Sequence, residues 1–265
     1  MDRSGSVLAE LKILKHHFVS QNDEVNATMV WAIETMCEAR TRYGSAFLAM
    51  KGYDFYNAWC ALEQAELRTL DLKRQNLLQA DSLMGLIDRL VNQFQALYPY
   101  KEFQSIEFLK KRVECSICRQ VITPWEHCDH EHGKIYQGEM CGSVIVEAEL
   151  IGSSTVTSPR HKYAVNRGKS MNYDYSVVKY VIDALHSPFD EWNVEWTTLD
   201  RPQSHFTHIG RNGKCPCRSG KKFKLCCRNN ARVDVPHLAL HLSKPPNPDL
   251  PKIVYLSDSK DVYFG

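Results

Sequence analysis

The sequence predicts an α+β protein in four parts. Residues 1–112 form a helical N-terminal region, as a bundle or long hairpins, and 113–200 a small α+β region stabilised by metal. Residues 201–232 form a cysteine-rich module, and 233–265 a tail with short strands. Three observations predict this order. Apolar residues recur at helical steps as far as Leu97. Cysteines, histidines and glycines cluster from Cys115 onward. Alternating apolar runs follow that change. With 265 residues, 43% hydrophobic and 24% charged, the chain can bury a core.

The helical reading starts with Leu8, Leu11, Leu14 and Phe18. Val25, Met29, Ala32, Ile33 and Met36 make a second stripe, and Phe55, Ala58, Trp59, Leu62 and Ala65 a third. The clearest stripe holds Leu83, Leu86, Ile87, Leu90, Val91, Phe94 and Leu97, with Asp81 as N-cap and Pro99 as stop. These stripes are expected in the core, with Cys37 and Cys60 as small packing residues. The KHH run at 15–17 reads as a solvated helix end. Four amphipathic helices with short connections fit a bundle, which also offers a surface for homo-oligomerisation.

Further along, Val144, Val146, Ala148 and Leu150 alternate with polar residues, as in a strand. The stretch 152–165 reads as strand or loop. Val178, Val181, Ile182 and Leu185 share a helix face. A short strand is expected near Val194–Thr197, then a linker over 199–208. HLALHL and KIVYL, either side of KPPNPDLP, are candidate strands of the tail.

Ten cysteines are many, and eight fall in two groups of four, at 115–141 and 215–227. In a reducing compartment such groups point to metal before disulfides. In GKCPCRSGKKFKLCCRNN, Cys215-x-Cys217 precedes Cys226-Cys227, and the chain between them must turn back at SGKK. Four thiolates suit a tetrahedral Zn²⁺. Arg211, Lys214, Arg218, Lys221, Lys222, Lys224 and Arg228 lower the cost of ionising the thiols and balance the charge of the centre. Residues 210–227, GRNGKCPCRSGKKFKLCC, resemble the SEC-C motif, a zinc-binding module named for the tail of the SecA translocation ATPase. Its usual form is approximately GRNDPCPCGSGKKYKKCC. Gly213, Lys214 and Arg218 are among the departures, none at a cysteine position. The resemblance implies Cys215, Cys217, Cys226 and Cys227 as zinc ligands. It also implies a docking surface for acidic or ribosomal partners, here with Arg211, Lys221, Lys222, Lys224 and Arg228 as contacts.

The earlier segment, ECSICRQVITPWEHCDHEHGKIYQGEMC, opens with the zinc-knuckle spacing Cys115-x-x-Cys118. His130 and Cys141 complete the preferred set, and Cys128 can replace either. His127 and His132 are expected outside the ligand set, and Gly133 and Gly138 allow a tight hairpin around IYQ. Asp129-His130 after a Cys-x-x-Cys also resembles a zinc-stapled HNH nuclease, in which a His beside an acid activates water. That family needs a later Asn and His; no convincing pair stands out, with Asn166 and His186 as the candidates, and a closed four-ligand site leaves no open metal position. The run Cys128, His130, Gly133, Tyr136, Gly138 and Cys141, with YPYKEF before it and SPFDEW after it, resembles a group of uncharacterised bacterial SEC-C-containing proteins over about residues 55–230. That likeness implies no activity.

Other function classes find no support. No Gly-rich phosphate loop or Gly-x-Ser-x-Gly elbow occurs. A net charge of +2 leaves nucleic-acid binding to local patches such as LKKR at 109–112. The tyrosines of MNYDYSVVKY read as packing residues. No signal-peptide pattern and no membrane-spanning run is seen, so a cytoplasmic location is expected. The expectation is therefore a protein with two zinc sites. Its basic module docks an acidic protein, the ribosome or nucleic acid.

Overall fold

The computed structural model describes residues 3–166, 173–245 and the backbone of 263–264. The chain divides into two compact units, Met1–Val178 and Lys179–Gly265. The expected KIVYL strand lies outside the described residues. No helix among the described residues is long and apolar enough to cross a membrane.

The first unit opens with four helices, α1 (Arg3–Ser20), α2 (Glu24–Lys51), α3 (Phe55–Arg74) and α4 (Leu83–Leu97). Local chemistry defines their ends. Asn22, Tyr53 and Asn76 take left-handed backbone at φ 55°, 60° and 55°, just past α1, α2 and α3. Each is followed by an N–H that reaches back five residues: Asp23 to Phe18, Asp54 to Ala49 and Leu77 to Leu72, all at 2.9 Å. Asp23 and Asp54 then cap the next helix by accepting from the N–H of Asn26 and Asn57. Ser82, one residue after the expected Asp81, caps α4 by accepting from Gly85.

The core of this unit holds Tyr43, Met50, Leu62, Leu72, Ile87, Leu90 and Phe94, all fully buried. Each such side chain contributes about 1.5–3 kcal/mol relative to exposure. The α3 and α4 stripes are largely as the sequence predicts, although Leu83 is exposed. The α2 stripe is different. Val25, Met29 and Ile33 are exposed, and the buried side holds Ala27, Val30, Trp31, Ala39 and Ala46. Small residues let the neighbouring helices approach there, so close packing outweighs the larger apolar residues on the opposite side. Lys15 of the KHH run is buried, not solvated.

Helix stops at Leu97, and a strand, β1 (Phe103–Cys115), replaces the last part of the expected helical region. It pairs antiparallel with β4 (Ser143–Val156) from Phe103↔Val156 to Cys115↔Ser143, with three register shifts. Between them, β2 (Ile135–Tyr136) and β3 (Glu139–Met140) form a two-residue hairpin. Its turn residues, Gln137 and Gly138, have φ 51° and 68°, the paired positive angles of a type I′ turn. The loop after β4 is tied to α3 and α4. Glu63 accepts from the N–H of Lys162 and of Tyr163, and Lys162 Nζ donates to Glu66 and Gln95. Trp59 donates its indole N–H to the Lys162 carbonyl and packs on Tyr98 and Tyr100. Tyr173 and Tyr175 are packing residues too, with Tyr173 edge-on to Tyr100 and Tyr175 stacked on Phe55.

The unit boundary falls inside α5 (Ser176–Ala184). In the second unit, β5 (Trp192–Pro202) pairs antiparallel with β6 (Arg232–Leu242) over their whole lengths, and β7 (Tyr263–Phe264) joins β6 in parallel. β5 is longer than the expected Val194–Thr197 strand and takes in the start of the expected linker. Buried Asp190 accepts from the N–H of His186 and of Ser187 and pairs with Lys244, which fixes the turn before β5.

Candidate metal centres

The first cluster is built on the end of the β1–β4 ribbon. Past Cys115 the chain makes a tight turn. Arg119 N–H donates to the Cys115 carbonyl at 3.0 Å, and Cys115 N–H donates to the Gln120 carbonyl at 2.9 Å. Arg119 closes the turn at φ 63°. Ser116 locks this turn to the returning chain, since its N–H donates to the Gly142 carbonyl and its Oγ accepts from Gly142 N–H. Within this frame, one donor atom each from Cys115, Cys118, Cys128 and His130 lie within 4.8 Å of one another. Cys141 is the fifth neighbour, with Sγ 3.8 Å from Cys115 Sγ. The ring of His130 stands edge-on to Tyr136 at 4.6 Å, and its Nδ1 is buried without a hydrogen-bond partner. Asp129, His127 and His132 are exposed. Asn166 lies in the first unit and His186 in the second.

The hairpin carrying this cluster is anchored to the helices by groups the sequence reading did not single out. Lys15 Nζ donates to Glu34 at 2.6 Å and to Glu139 at 2.7 Å. Gln137 N–H donates to Glu24, and Gln75 Nε2 to the Gly133 carbonyl. Gly138 is required here: a Cβ would lie 2.8 Å from Cδ of Lys15.

The second cluster forms on a smaller frame. Phe223 N–H donates to the Gly213 carbonyl, Cys215 N–H to Lys221 and Lys224 N–H to Arg211. These bonds fold residues 211–224 back on themselves. Arg218 and Gly220 turn the chain at φ 61° and 75°. Phe223 is buried with Phe206, Val233 and Val235, so β6 supplies the floor under the sulfurs. Short 3-10 turns at Phe223–Leu225 and Cys227–Asn229 bring up the last pair. The four sulfurs lie within 4.8 Å of one another. Neighbouring sulfurs are closer: Cys215 to Cys217 3.3 Å, Cys217 to Cys226 3.5 Å and Cys226 to Cys227 3.6 Å. Ser219 Oγ adds a contact to Cys226 Sγ at 3.3 Å. Arg211, Lys221, Lys222 and Arg228 are exposed, and Lys224 is half-buried.

The electrostatics of both clusters are those of thiols that cannot all ionise alone. The backbone N–H groups of Cys118 and Ile117, with thiols of Cys128 and Cys141, hold the Cys115 thiol down at about 6. Burial and Cys115 push Cys141 up to about 11. Burial raises Cys217, but hydrogen bonds from Ser219, Cys215 and Cys226 outweigh it and bring the thiol down to about 6. Burial and the neighbouring sulfurs push Cys227 up. Each cluster thus sets one thiol held low, Cys115 or Cys217, beside neighbours pushed up, Cys128 and Cys141 or Cys215 and Cys227, and a cation among the sulfurs would favour ionisation of those neighbours. The unpartnered His130 Nδ1 is a lone donor of the same kind.

The molecule is therefore a mixed α+β protein with, among the described residues, two Cys or Cys/His groups that could each hold a metal ion. No protein-family model matches the chain, and no solved structure matches it.

Proposed function

We propose that the chain is a zinc-binding docking protein. Zinc occupies both clusters, and a SEC-C-like module over 201–232 presents its cationic face to an acidic protein, a ribosomal surface or nucleic acid. The observation that carries this reading is the second cluster. There four sulfurs converge to separations of 3.3–3.6 Å along neighbouring pairs while Arg211, Lys221, Lys222 and Arg228 stay in solvent. A tetrahedral ion with metal–sulfur bonds of about 2.3 Å needs sulfurs about 3.8 Å apart, so small adjustments complete the cage. Zinc fixes the loop, and the loop fixes the spacing of the cations. In the first cluster, Cys115 and Cys118 with two of Cys128, His130 and Cys141 would hold the second ion.

Binding is tested with three purified probes: polyglutamate, ribosomes and a single-stranded oligonucleotide. The wild-type chain is expected to capture at least one, with affinity falling as salt rises. The double variant Lys221→Glu, Lys222→Glu is expected to lose that capture with zinc content unchanged. A double variant that binds as well as wild type, or a wild-type chain that captures none of the probes, contradicts the reading.

A further inference from the structure

We propose that Cys141 is an oxidation site: hydrogen peroxide joins it to Cys115 in a disulfide, and the first metal group then releases its ion. This rests on the zinc reading above and adds a regulation to it. A tetrahedral zinc takes four ligands, and the first group has five donors together. Donor atoms of Cys115, Cys118, Cys128 and His130 lie within 4.8 Å of one another, so these four hold the ion. Cys141 is left over, with Sγ 3.8 Å from Cys115 Sγ. The zinc-loaded chain therefore keeps a thiol in contact with a bound thiolate.

The two sulfurs stand on the firmest backbone of the site. Cys115 ends β1 and pairs with Ser143 in the ladder, and Cys141 lies between β3 and β4. The residues next to them exchange two bonds. Ser116 N–H donates to the Gly142 carbonyl at 2.9 Å, and Gly142 N–H donates to Ser116 Oγ at 2.8 Å. Cys141 N–H donates to the Lys134 carbonyl at 2.7 Å, and its own carbonyl accepts from Gly133 N–H at 2.8 Å. A disulfide needs its sulfurs at about 2.05 Å, so an approach of under about 2 Å joins this pair on a fixed frame.

Cys115 is fully buried and Cys141 is 4% exposed, but Cys118, within 4.8 Å of Cys115, is exposed. The cage thus opens to solvent on that side, and hydrogen peroxide is little larger than water. The bound Cys115 thiolate attacks a peroxide oxygen. The O–O bond breaks, giving a Cys115 sulfenic acid and a hydroxide, which takes a proton from solvent. The Cys141 thiol then attacks that sulfur. The S–S bond forms, the S–O bond breaks, and the hydroxyl leaves as water with the thiol proton. Two electrons pass from the two sulfurs to the peroxide, and two waters result. Oxidation at Cys118 lacks this exit, because Cys115 and Cys128 beside it are both bound and a second ligand must first leave the ion. With Cys115 withdrawn, Cys118, Cys128 and His130 are one ligand short of a tetrahedral site. The second group uses all four cysteines of its unit and has no spare thiol there. Its disulfides each take two ligands at once, so the first ion is the first to go.

The test treats the full zinc-loaded chain with a small excess of hydrogen peroxide. Native mass spectrometry counts the ions, and digestion after thiol blocking maps the disulfides. Wild type is expected to lose one ion, to gain the Cys115–Cys141 disulfide, and to recover the ion with dithiothreitol and zinc. Cys141→Ser is expected to keep both ions before oxidation and to release the first on the order of tenfold more slowly. A Cys115–Cys118 disulfide in wild type overturns the proposal. So does a Cys141→Ser chain that has lost an ion before oxidation, which makes Cys141 a ligand, or one that releases it as fast as wild type. The wild-type disulfide map decides by itself if Cys141→Ser does not fold. A chain isolated with no metal in the first group overturns the zinc reading and the proposal together, whereas two ions and a different disulfide overturn the proposal alone.

Discussion

Arg119 and Arg218 stand in matching places: each follows the second cysteine of its turn, and each has left-handed backbone, at φ 63° and 61°. A non-glycine residue there costs on the order of 1 kcal/mol. Arg119→Gly is therefore expected to stabilise the zinc-loaded protein by about 1 kcal/mol, less the greater freedom glycine has when unfolded. Urea unfolding with zinc present measures it, and a lower midpoint would contradict the strain argument. At this scale the sulfurs were legible from spacing alone. Cys-x-x-Cys and Cys-x-Cys each place two thiols on one short turn. The strain at Arg119 was not legible, because no glycine marks it; at Arg218 the hint was the glycine that the usual SEC-C form has in its place. Nor were the braces from Ser116 and Ser219, which act through geometry that serine's presence alone does not reveal.

Among the elements, the hairpin clamp carries the clearest energetic consequence. Lys15 is buried between Glu34 and Glu139, and Glu34 Oε1 has no other partner. Removing one partner of a buried ion pair leaves the other charge uncompensated, so Lys15→Met is expected to cost about 3 kcal/mol at neutral pH. Burial pulls the Lys15 ammonium down, but Glu139 and Glu34 outweigh it and hold its pKa above the ordinary 10.5. A raised folded pKa means the contribution is complete below the unfolded value and is lost as pH rises through the folded one. The stability gap between wild type and Lys15→Met should thus stay constant to about pH 10 and narrow above it. A gap that widens with pH would refute the assignment. Strand β1 shows why one element was misread. Phe103, Ile106, Leu109 and Val113 repeat at the three- and four-residue steps of a helix, although the segment is a strand. Only pairing with β4, some 40 residues on, decides between them. The α2 stripe failed for a related reason: its small residues give a weak periodic signal while defining the packed side.

For the whole molecule, each compact unit contains, among the described residues, one group able to hold a metal ion. The first is pinned between the ribbon and the helices, the second to the β6 floor. The α+β class with helices first was readable, because helical periodicity in α3 and α4 and the alternation in β4 are strong local signals. The longer β5–β6 pairing was not, since it joins strands separated by the cysteine module. In small metal-ordered regions, binding energy of order 10 kcal/mol serves as folding energy. Chelation is therefore expected to unfold the cysteine loops of both units while α1–α4 keep their far-ultraviolet signal, as their core of Tyr43, Leu62, Ile87 and Phe94 lies among the helices. Hydrogen exchange would locate the loss, and uniform protection before and after chelation would contradict it.

Native mass spectrometry of the intact chain bears most directly on the idea that both sulfur clusters are metal cages. Two zinc ions per chain are expected, one for each group, falling to one in Cys118→Ser and to one in Cys226→Ser. A chain that carries no metal and stays compact in chelator, or keeps its full metal content in both variants, would contradict it.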